Sequence, residues 1–143
     1  MSANYLAGLG VQPVLGRAFR PEEDMQSGEH PVVVLSHSYW ARRYPRDASA
    51  LGQIVKINGI PFVVLGVAPE GFAGTAIPAR EPDFWTPIAM HAQMAPGRDW
   101  RGDSNDADFV LLGRMAAGVS QKSAQSEAAV ALLQFQSGKN PPD

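Results

Sequence analysis

Three titratable side chains could provide acid–base chemistry. Glu81 and Asp83 flank a proline ahead of a predicted strand, and His37 lies at the start of a predicted helix. A pair of carboxyl groups can act as general acid and general base when their environments separate their pKa values. A small hydrolase or lyase would need all three groups to converge in one pocket. Since the sequence shows no environment that would raise a carboxyl pKa, a structural role is favoured.

The metal-binding patterns are weak. The chain has no cysteine, which excludes disulfides, thiolate metal sites and cysteine catalysis. The segment GDSNDAD resembles a calcium loop but lacks its central glycine and terminal glutamate, so a solvated acidic loop is favoured. Met90 and Met94 beside His91 are favoured as an apolar loop tip. No two histidines have the spacing of metal ligands: His30, His37, His91. The sequence therefore predicts no metal and no cofactor.

Nucleotide and nucleophile motifs are also missing from the sequence. It has no phosphate-binding loop and no GxSxG elbow, and GLGVQPVLG neither follows a strand nor opens a helix. Arg42, Arg43 and Arg46, with Tyr39 and Tyr44 beside them, could contact phosphate or an acidic partner, but a solvated helix face is favoured. The net charge of −2 argues against a nucleic-acid binder.

The composition is that of a folded domain. The chain has 143 residues, of which 45% are hydrophobic and 18% charged, so it can bury a core as one domain or as one domain of two small lobes. No apolar run approaches the ~20 residues that span a bilayer. No signal peptide follows Met1, and the abrupt ends favour an excised piece of a longer chain over a cytosolic protein.

The first half of the chain predicts short elements around one central strand. We expect a helix over residues 2–9 and one helical turn at 21–24 within a polar surface loop. The apolar run 32–35 predicts a strand that is covered on both faces. Ser36 is a good N-cap for the next helix, in which Trp40 and Tyr44 should face the core. A hydrophobic staple between Leu35 and Trp40 has the right spacing, and Pro45 should end that helix.

A hairpin is the clearest local prediction. Residues 53–57 and 60–67 are apolar runs separated by Asn58-Gly59, which favours a type I′ turn and pairs Ile57 with Ile60. One apolar face follows from that register: Val55, Ile57, Ile60, Phe62. The other face is predicted to be partly covered and to contain these residues: Ile54, Val63, Leu65, Val67.

The second half predicts two strands and a closing helix. Residues 83–88 and 108–115 have strand-like composition, and the long polar segment 89–107 between them is predicted as a functional or mobile loop. Ser120 should cap the last helix. Its alanine-rich stripe predicts close packing against a sheet, and it is formed by these residues: Ala124, Ala128, Ala131, Leu132, Phe135.

Five blocks of sequence, in order, resemble one family. They are SANYLAGLGVQPVLGRAFRPEED, PVVVLSHSYWARRY, LGQIVKINGIPFVVLGVAPEGFAG, PDFWTPIAM and DFVLLGRMAAGVSQKSAQSEAAVALL. Together they resemble the periplasmic core domain of MacB-type ABC transporter permeases, in particular the duplicated-permease branch of acidobacteria-like genomes. The resemblance covers about residues 3–135.

The resemblance implies an α+β fold of two small lobes. An inserted lobe, approximately residues 20–90, would hold a mixed sheet with a tight hairpin and short helices. A porter-like βαβ lobe would take approximately residues 1–19 and 108–136, with a frayed tail at 137–143. That lobe is expected to be incomplete, because the strands that precede the SANYL-like segment in the family are absent from this sequence. A second departure is Ser123, which stands where the family has the glutamine of a capping box.

The resemblance also implies a function. The domain would lie on the periplasmic side of the cell inner membrane, in an export permease, and would be non-catalytic. It would couple motion of the membrane subunits to binding of substrate or of a periplasmic adaptor protein. The implied partners are the transmembrane helices of the parent permease and, indirectly, a cytoplasmic ATPase subunit or domain. No nucleic acid is expected.

Partner or substrate contact is predicted in the segment 89–107, where apolar and cationic side chains occur together: Met94, Arg98, Trp100, Arg101. A disordered connector with no contact role is the alternative for this segment. For the whole chain, the rival hypotheses are a free-standing solute- or protein-binding domain and the small acid–base hydrolase. Because an incomplete porter-like lobe would expose a sheet edge, we also expect the isolated fragment to form homodimers.

Overall fold

A computed structural model describes residues 1–76, 80–97 and 110–139, and the side chains of 136–139 are not described. The chain divides into two compact units, Met1–Asp108 and Phe109–Asp143, and each is described by itself. The predicted Arg98, Trp100 and Arg101 lie outside the described residues.

The first unit is α+β, as predicted, and its elements are short. Its helices are α1 (Tyr5–Gly8), α2 (His37–Arg43) and α3 (His91–Met94). Its strands are β1 (Leu15–Gly16), β2 (Val32–Leu35), β3 (Ile54–Ile57), β4 (Ile60–Val67) and β5 (Phe84–Trp85). Single 3₁₀ turns span Pro21–Asp24, Ala48–Ala50 and Ile88–Met90.

The longest strand, β4, organises a five-stranded mixed sheet. It pairs in parallel with β2 and antiparallel with β1 and β3, while β5 adds antiparallel to the other side of β2. Alternate residues of β2 enter different cores, Val33 and Leu35 on one face and Val34 on the other. The prediction of a central strand covered on both faces is therefore confirmed. Residues 1–19 supply β1 to this sheet, and the division of the chain into an inserted and a porter-like lobe stays a prediction.

The predicted hairpin register is confirmed. Ile57 pairs with Ile60, and Ile54 pairs with Val63. Asn58 and Gly59 have φ values of 51° and 81°, as a type I′ turn requires.

Because of a β-bulge in β4, the residues predicted for one face of the hairpin are partly wrong. The register with β2 shifts between Val33 and Val34, so that β4 has one extra residue before Gly66. This shift returns Val67 to the core of Phe62 and Val64, instead of the face that it was predicted to share with Ile54. The side chain of Ile54 is 62% exposed, so that second face is open at its β3 end.

Two glycines allow β1 to approach β4 closely. A Cβ atom on Gly66 would overlap the carbonyl oxygen of Arg17 and lie 2.9 Å from that of Leu15. Opposite it, Gly16 has a φ of 69° and a Cβ there would overlap the carbonyl oxygen of Leu65. Backbone contacts this close exclude any side chain, so the β1–β4 pair depends on glycine at both positions.

Helix α2 begins and ends as predicted. The Ser36 hydroxyl accepts a hydrogen bond from the Tyr39 N–H at 3.2 Å, and Tyr44 is the C-cap, just before Pro45. Trp40 and Tyr44 pack against the core cluster that contains Leu35, so both face the core as predicted. The hydrophobic staple between Leu35 and Trp40 stays a prediction.

The acidic segment that was predicted as a surface loop instead holds three parts of the chain together. One carboxylate oxygen of Asp24 accepts the Ala3 N–H at 3.0 Å, and the other accepts the Ala89 N–H at 3.0 Å. The neighbouring Glu23 is buried and forms a bidentate pair with Arg17, at 2.6 and 2.9 Å. The 3₁₀ turn is therefore a structural junction.

The environment of Glu23 favours its charged form. Burial alone would raise the pKa of its carboxyl group. Hydrogen bonds from the Arg17 side chain and the Arg20 backbone N–H, with the positive charges of both arginines, outweigh that effect. The pKa of Glu23 therefore lies below its usual value of 4.5.

The segment 89–107 differs from its prediction as a long loop. Residues 88–94 form a 3₁₀ turn followed by α3, and Met90 is only 1% exposed. The apolar spacing within IAMHAQM places this turn against the core, so Met90 is a core residue and not part of a loop tip.

The second unit contains one helix, α4 (Gln121–Lys139), which begins as predicted after Ser120. The Ser120 hydroxyl accepts the Ser123 N–H at 3.1 Å. The predicted strand 108–115 is wrong over its described residues 110–115, which form no ladder. Within this unit Leu132 and Phe135 of the alanine-rich stripe are 56% and 60% exposed, and the packing of the stripe against a sheet stays a prediction.

We predict that Gly66→Ala lowers the free energy of unfolding by about 2 kcal/mol or more, because the new methyl group must push β1 away from β4. Urea unfolding measures the change. Gly8→Ala is the matched control, since a Cβ there meets nothing within 4 Å. Equal stability of the two variants would show that β1 does not approach β4 as closely as described.

We predict that Glu23→Gln lowers the free energy of unfolding by about 1–3 kcal/mol at pH 7. Since the folded pKa of Glu23 is depressed, its stabilisation is present above the unfolded pKa and is lost as the pH falls through the folded value. The difference between variant and wild type should therefore shrink below pH about 4.5. The exposed Glu22→Gln is the control, and a pH-independent difference would contradict the role of the charge.

Candidate functional site

An open cleft beside α2 brings several chemically active side chains together. Its volume is about 370 Å³. One wall is the outward side of α2, and the other comes from the segments that follow β4 and precede β5. It is lined by these residues: His37, Ser38, Ala41, Arg42, Arg46, Glu70, Gly71, Glu81.

Local hydrogen bonds explain why these segments meet. The backbone N–H of Ser36, the N-cap of α2, donates to the carbonyl oxygen of Asp83 at 2.9 Å. The Ser38 N–H makes a longer contact of 3.4 Å with a carboxylate oxygen of Glu81. The chain before β5 is thereby held against the first turn of α2, and this places Glu81 in the same cleft as His37.

The predicted acid–base trio is only partly assembled. His37 and Glu81 share the cleft, but the carboxylate of Asp83 pairs with Arg42 at 2.8 Å. The His37 ring stacks edge-on against Trp40, with 5.5 Å between ring centroids. Within the part of the chain that the structure describes, His37 makes no hydrogen bond to either carboxylate. The two carboxylates instead contact α2, which is a positioning role.

The predicted basic cluster is divided between two roles. Arg42 pairs with Asp83 and lies 5.8 Å from the centre of the Tyr39 ring, so its charge is partly compensated. Both partners of the ion pair are more than half exposed, at 62% and 53%, so its contribution to stability is small. Arg46 lines the cleft near Glu70 and Glu81. The cleft therefore presents charges of both signs.

Sequence reasoning missed Glu70 as a cleft residue and did not connect Arg46 with Glu81. Glu70 follows β4 in a Pro-Glu-Gly turn, and nothing in that turn indicates contact with a helix that lies more than 20 residues earlier. Only the parallel pairing of β2 with β4 brings the ends of both strands to the same edge. The signal that could have found it is the rule that ligand clefts form outside the carboxyl ends of parallel strands.

Of the predicted partner-contact residues, only Met94 is described. It ends α3, packs against the core cluster of β2 and β4, and its carbonyl oxygen accepts the Asn58 side chain at 3.3 Å. Met94 is therefore half-buried and anchors the start of the segment that leads to the other three residues. Among the described residues, no group of three or more His, Asp or Glu side chains could hold a metal ion.

Comparison with known proteins identifies a family for this chain. A model described as the MacB-like periplasmic core domain matches residues 1–131. No curated protein matches the chain. In the described part of the chain, no helix has the length and apolar character needed to cross a membrane.

The fold is similar to that of a solved structure, the crystal structure of the periplasmic region of MacB from Actinobacillus actinomycetemcomitans. The TM-score is 0.64 at 19% sequence identity, and the match covers 94% of this chain. It covers 54% of the other chain, so this chain spans about half the length of that periplasmic region. With a family match over most of its length, the chain belongs to the MacB-like periplasmic core domain family.

Proposed function

We propose that this chain is the extracytoplasmic domain of an ABC-type export permease of the cell inner membrane. It couples motion of the membrane subunits to binding of a substrate or an adaptor protein in the periplasm, and it does so without catalysis. The observation that carries the proposal is the family match over residues 1–131. The contacts around the cleft agree with it, because the carboxylates of Glu81 and Asp83 contact α2 and not His37.

The packing of the first unit supports this role. Its sheet is covered on both faces over β2, and Asp24 joins the chain near α1 to the turn before α3. A close-packed interior transmits displacement because it cannot absorb it by compression. Motion applied to one part of this unit would therefore reach its exposed loops.

The second unit supports association with further protein. Val110 and Leu111 are 84% and 96% exposed, and α4 adds more exposed apolar side chains. Large exposed apolar side chains, where they are contiguous, commonly mark interaction surfaces. We assign them to other parts of the parent permease, whose transmembrane helices and, indirectly, cytoplasmic ATPase are the proposed partners.

For the adaptor or substrate, we propose the segment that follows α3. Met94 is fixed against the core, so the next residues start from a defined position. An aromatic side chain between two arginines is the composition that interface centres favour, and Arg98, Trp100 and Arg101 supply it.

The alternative is a free-standing solute- or protein-binding domain. The open cleft favours it, since Arg46 and Glu70 offer opposite charges to a small ligand. The hydrolase hypothesis would have to use the same cleft, because His37 and Glu81 both line it. If the binding domain or the hydrolase were correct, charge reversal at Arg46 would abolish the function of the protein. That function would not require association with the membrane.

We predict that a single cysteine at Ser49, in the parent protein, reacts with a membrane-impermeant maleimide in spheroplasts with intact inner membranes. Ser49 is exposed, and the chain has no cysteine of its own. Val34→Cys is the matched control, because Val34 is 0% exposed and should react only after unfolding. Labelling of Ser49→Cys only after the inner membrane is broken would contradict an extracytoplasmic location.

We also predict that a photo-reactive amino acid at position 100 of the parent protein cross-links to a second protein in cells, whereas the same amino acid at the exposed position 49 does not. An interface centre excludes water and brings partner atoms within reach of the probe. Mass spectrometry of the adducts identifies the partner. Absence of adducts at position 100, in cells where the transporter is active, would remove this segment as the contact site.

A further inference from the structure

Strand β3 has a free edge in the described structure. It pairs only with β4, through the register that aligns Ile57 with Ile60 and Ile54 with Val63. A two-residue turn makes its flanking residues a hydrogen-bonded pair, and such pairs alternate along an antiparallel ladder. Ile57 and Val55 therefore direct their backbone groups to β4, as does Gln53, whose carbonyl oxygen accepts the Val64 N–H at 2.9 Å.

The intervening residues, Ile54 and Lys56, direct their backbone N–H and C=O groups away from β4. Neither residue has a backbone partner on that side within the described chain. The edge therefore presents two donors and two acceptors in a row. Both side chains are exposed on the same face of the sheet, and that of Ile54 is 62% exposed.

The other unpaired stretch of the hairpin, at the start of β4, is blocked against pairing with a further strand. Residues 60–62 of β4 extend beyond β2, whose pairing begins at Val63. Pro61 lies at the outward-facing position there, so the backbone offers no donor. The sequence thus blocks one free edge of the hairpin with proline and leaves the edge of β3 with all its groups.

We propose that the edge of β3 pairs antiparallel with the same edge of a second copy of this chain, about a two-fold axis at Val55. In this register Ile54 lies opposite Lys56 of the second copy, and Lys56 opposite its Ile54. Each is a hydrogen-bonded pair, so all outward donors and acceptors are used. The axis passes between the two copies of Val55, whose own backbone groups face β4, so this central pair is a non-hydrogen-bonded one.

Side chains favour this register over its neighbours. Each exposed Ile54 packs on the methylene chain of Lys56 of the second copy, and the two half-buried Val55 side chains meet on the core side. Centring on Lys56 would place two like charges opposite each other. Centring on Ile54 would place Lys56 opposite Gly52, whose N–H already donates to the Val64 carbonyl oxygen at 2.9 Å.

The dimer is weak. Two pairs of strand residues supply four backbone hydrogen bonds, and so short a strand buries far less than the roughly 1,200 Å² of a stable interface. A four-residue length and a lysine are also features that limit edge pairing in monomers. The complex therefore forms at high protein concentration, and it is independent of the proposed transport function.

Disulfide cross-linking of single-cysteine variants tests the register. Val55→Cys should form a covalent dimer under mild oxidation, because directly opposed residues of a non-hydrogen-bonded pair have Cα atoms about 4.5 Å apart. Ile54→Cys and Lys56→Cys are the matched variants, and their equivalent cysteines lie diagonally, about 7–8 Å apart. They should cross-link far more slowly. Faster reaction at either of these positions, or no concentration-dependent dimer from any variant, would overturn the proposal.

Amide hydrogen exchange provides a second measurement that needs no substitution. The Ile54 and Lys56 amides should exchange about tenfold more slowly once about nine-tenths of the chains are paired, because exchange then requires dissociation. The Val55 amide, which donates within the hairpin, should be protected at every concentration. Lys56→Pro removes one outward donor and leaves the β3–β4 ladder intact, so it should abolish the concentration dependence. Exchange at Ile54 that does not depend on concentration would overturn the proposal.

Discussion

Strand β4 must pair with three other strands within eight residues, and the rest of the first unit depends on how it does so. Its first half pairs with β3, its last two residues pair with β1 on the same side, and β2 lies on the other side. The bulge before Gly66 and the glycine contact with β1 make this compatible with one continuous core. Because β2 runs parallel to β4, the chain must leave both strands at one edge, and the cleft forms there.

The local part of this fold could be predicted from the sequence. The Asn58-Gly59 turn, the Ser36 cap and the apolar run of β2 each act through neighbouring residues, and all three are confirmed. What could not be predicted depends on contacts between distant segments. The bulge is set by pairing with β2 and β1, which lie 30 or more residues earlier. Likewise, nothing local distinguishes Asp24 from the exposed Glu22, because its partners at Ala3 and Ala89 are known only from the fold.

The sequence predicted which residues lie at the candidate site better than it predicted their contacts. The sequence named His37, Glu81 and Asp83, and the structure does bring them to one region. The carboxylates of Glu81 and Asp83 hold the chain before β5 against α2, where they contact the Ser38 N–H and Arg42. These charged side chains therefore stabilise the arrangement of the chain segments that form the cleft.

The proposal that this chain is the extracytoplasmic part of a membrane permease can be tested in the parent protein. The most direct measurement is a cryo-electron microscopy structure of the parent protein in lipid nanodiscs, with the β3–β4 hairpin as the recognisable feature. We expect the hairpin to lie outside the bilayer, in a chain continuous with transmembrane helices, on the side opposite the ATPase. A chain with no transmembrane helices, or a hairpin on the ATPase side, would contradict it.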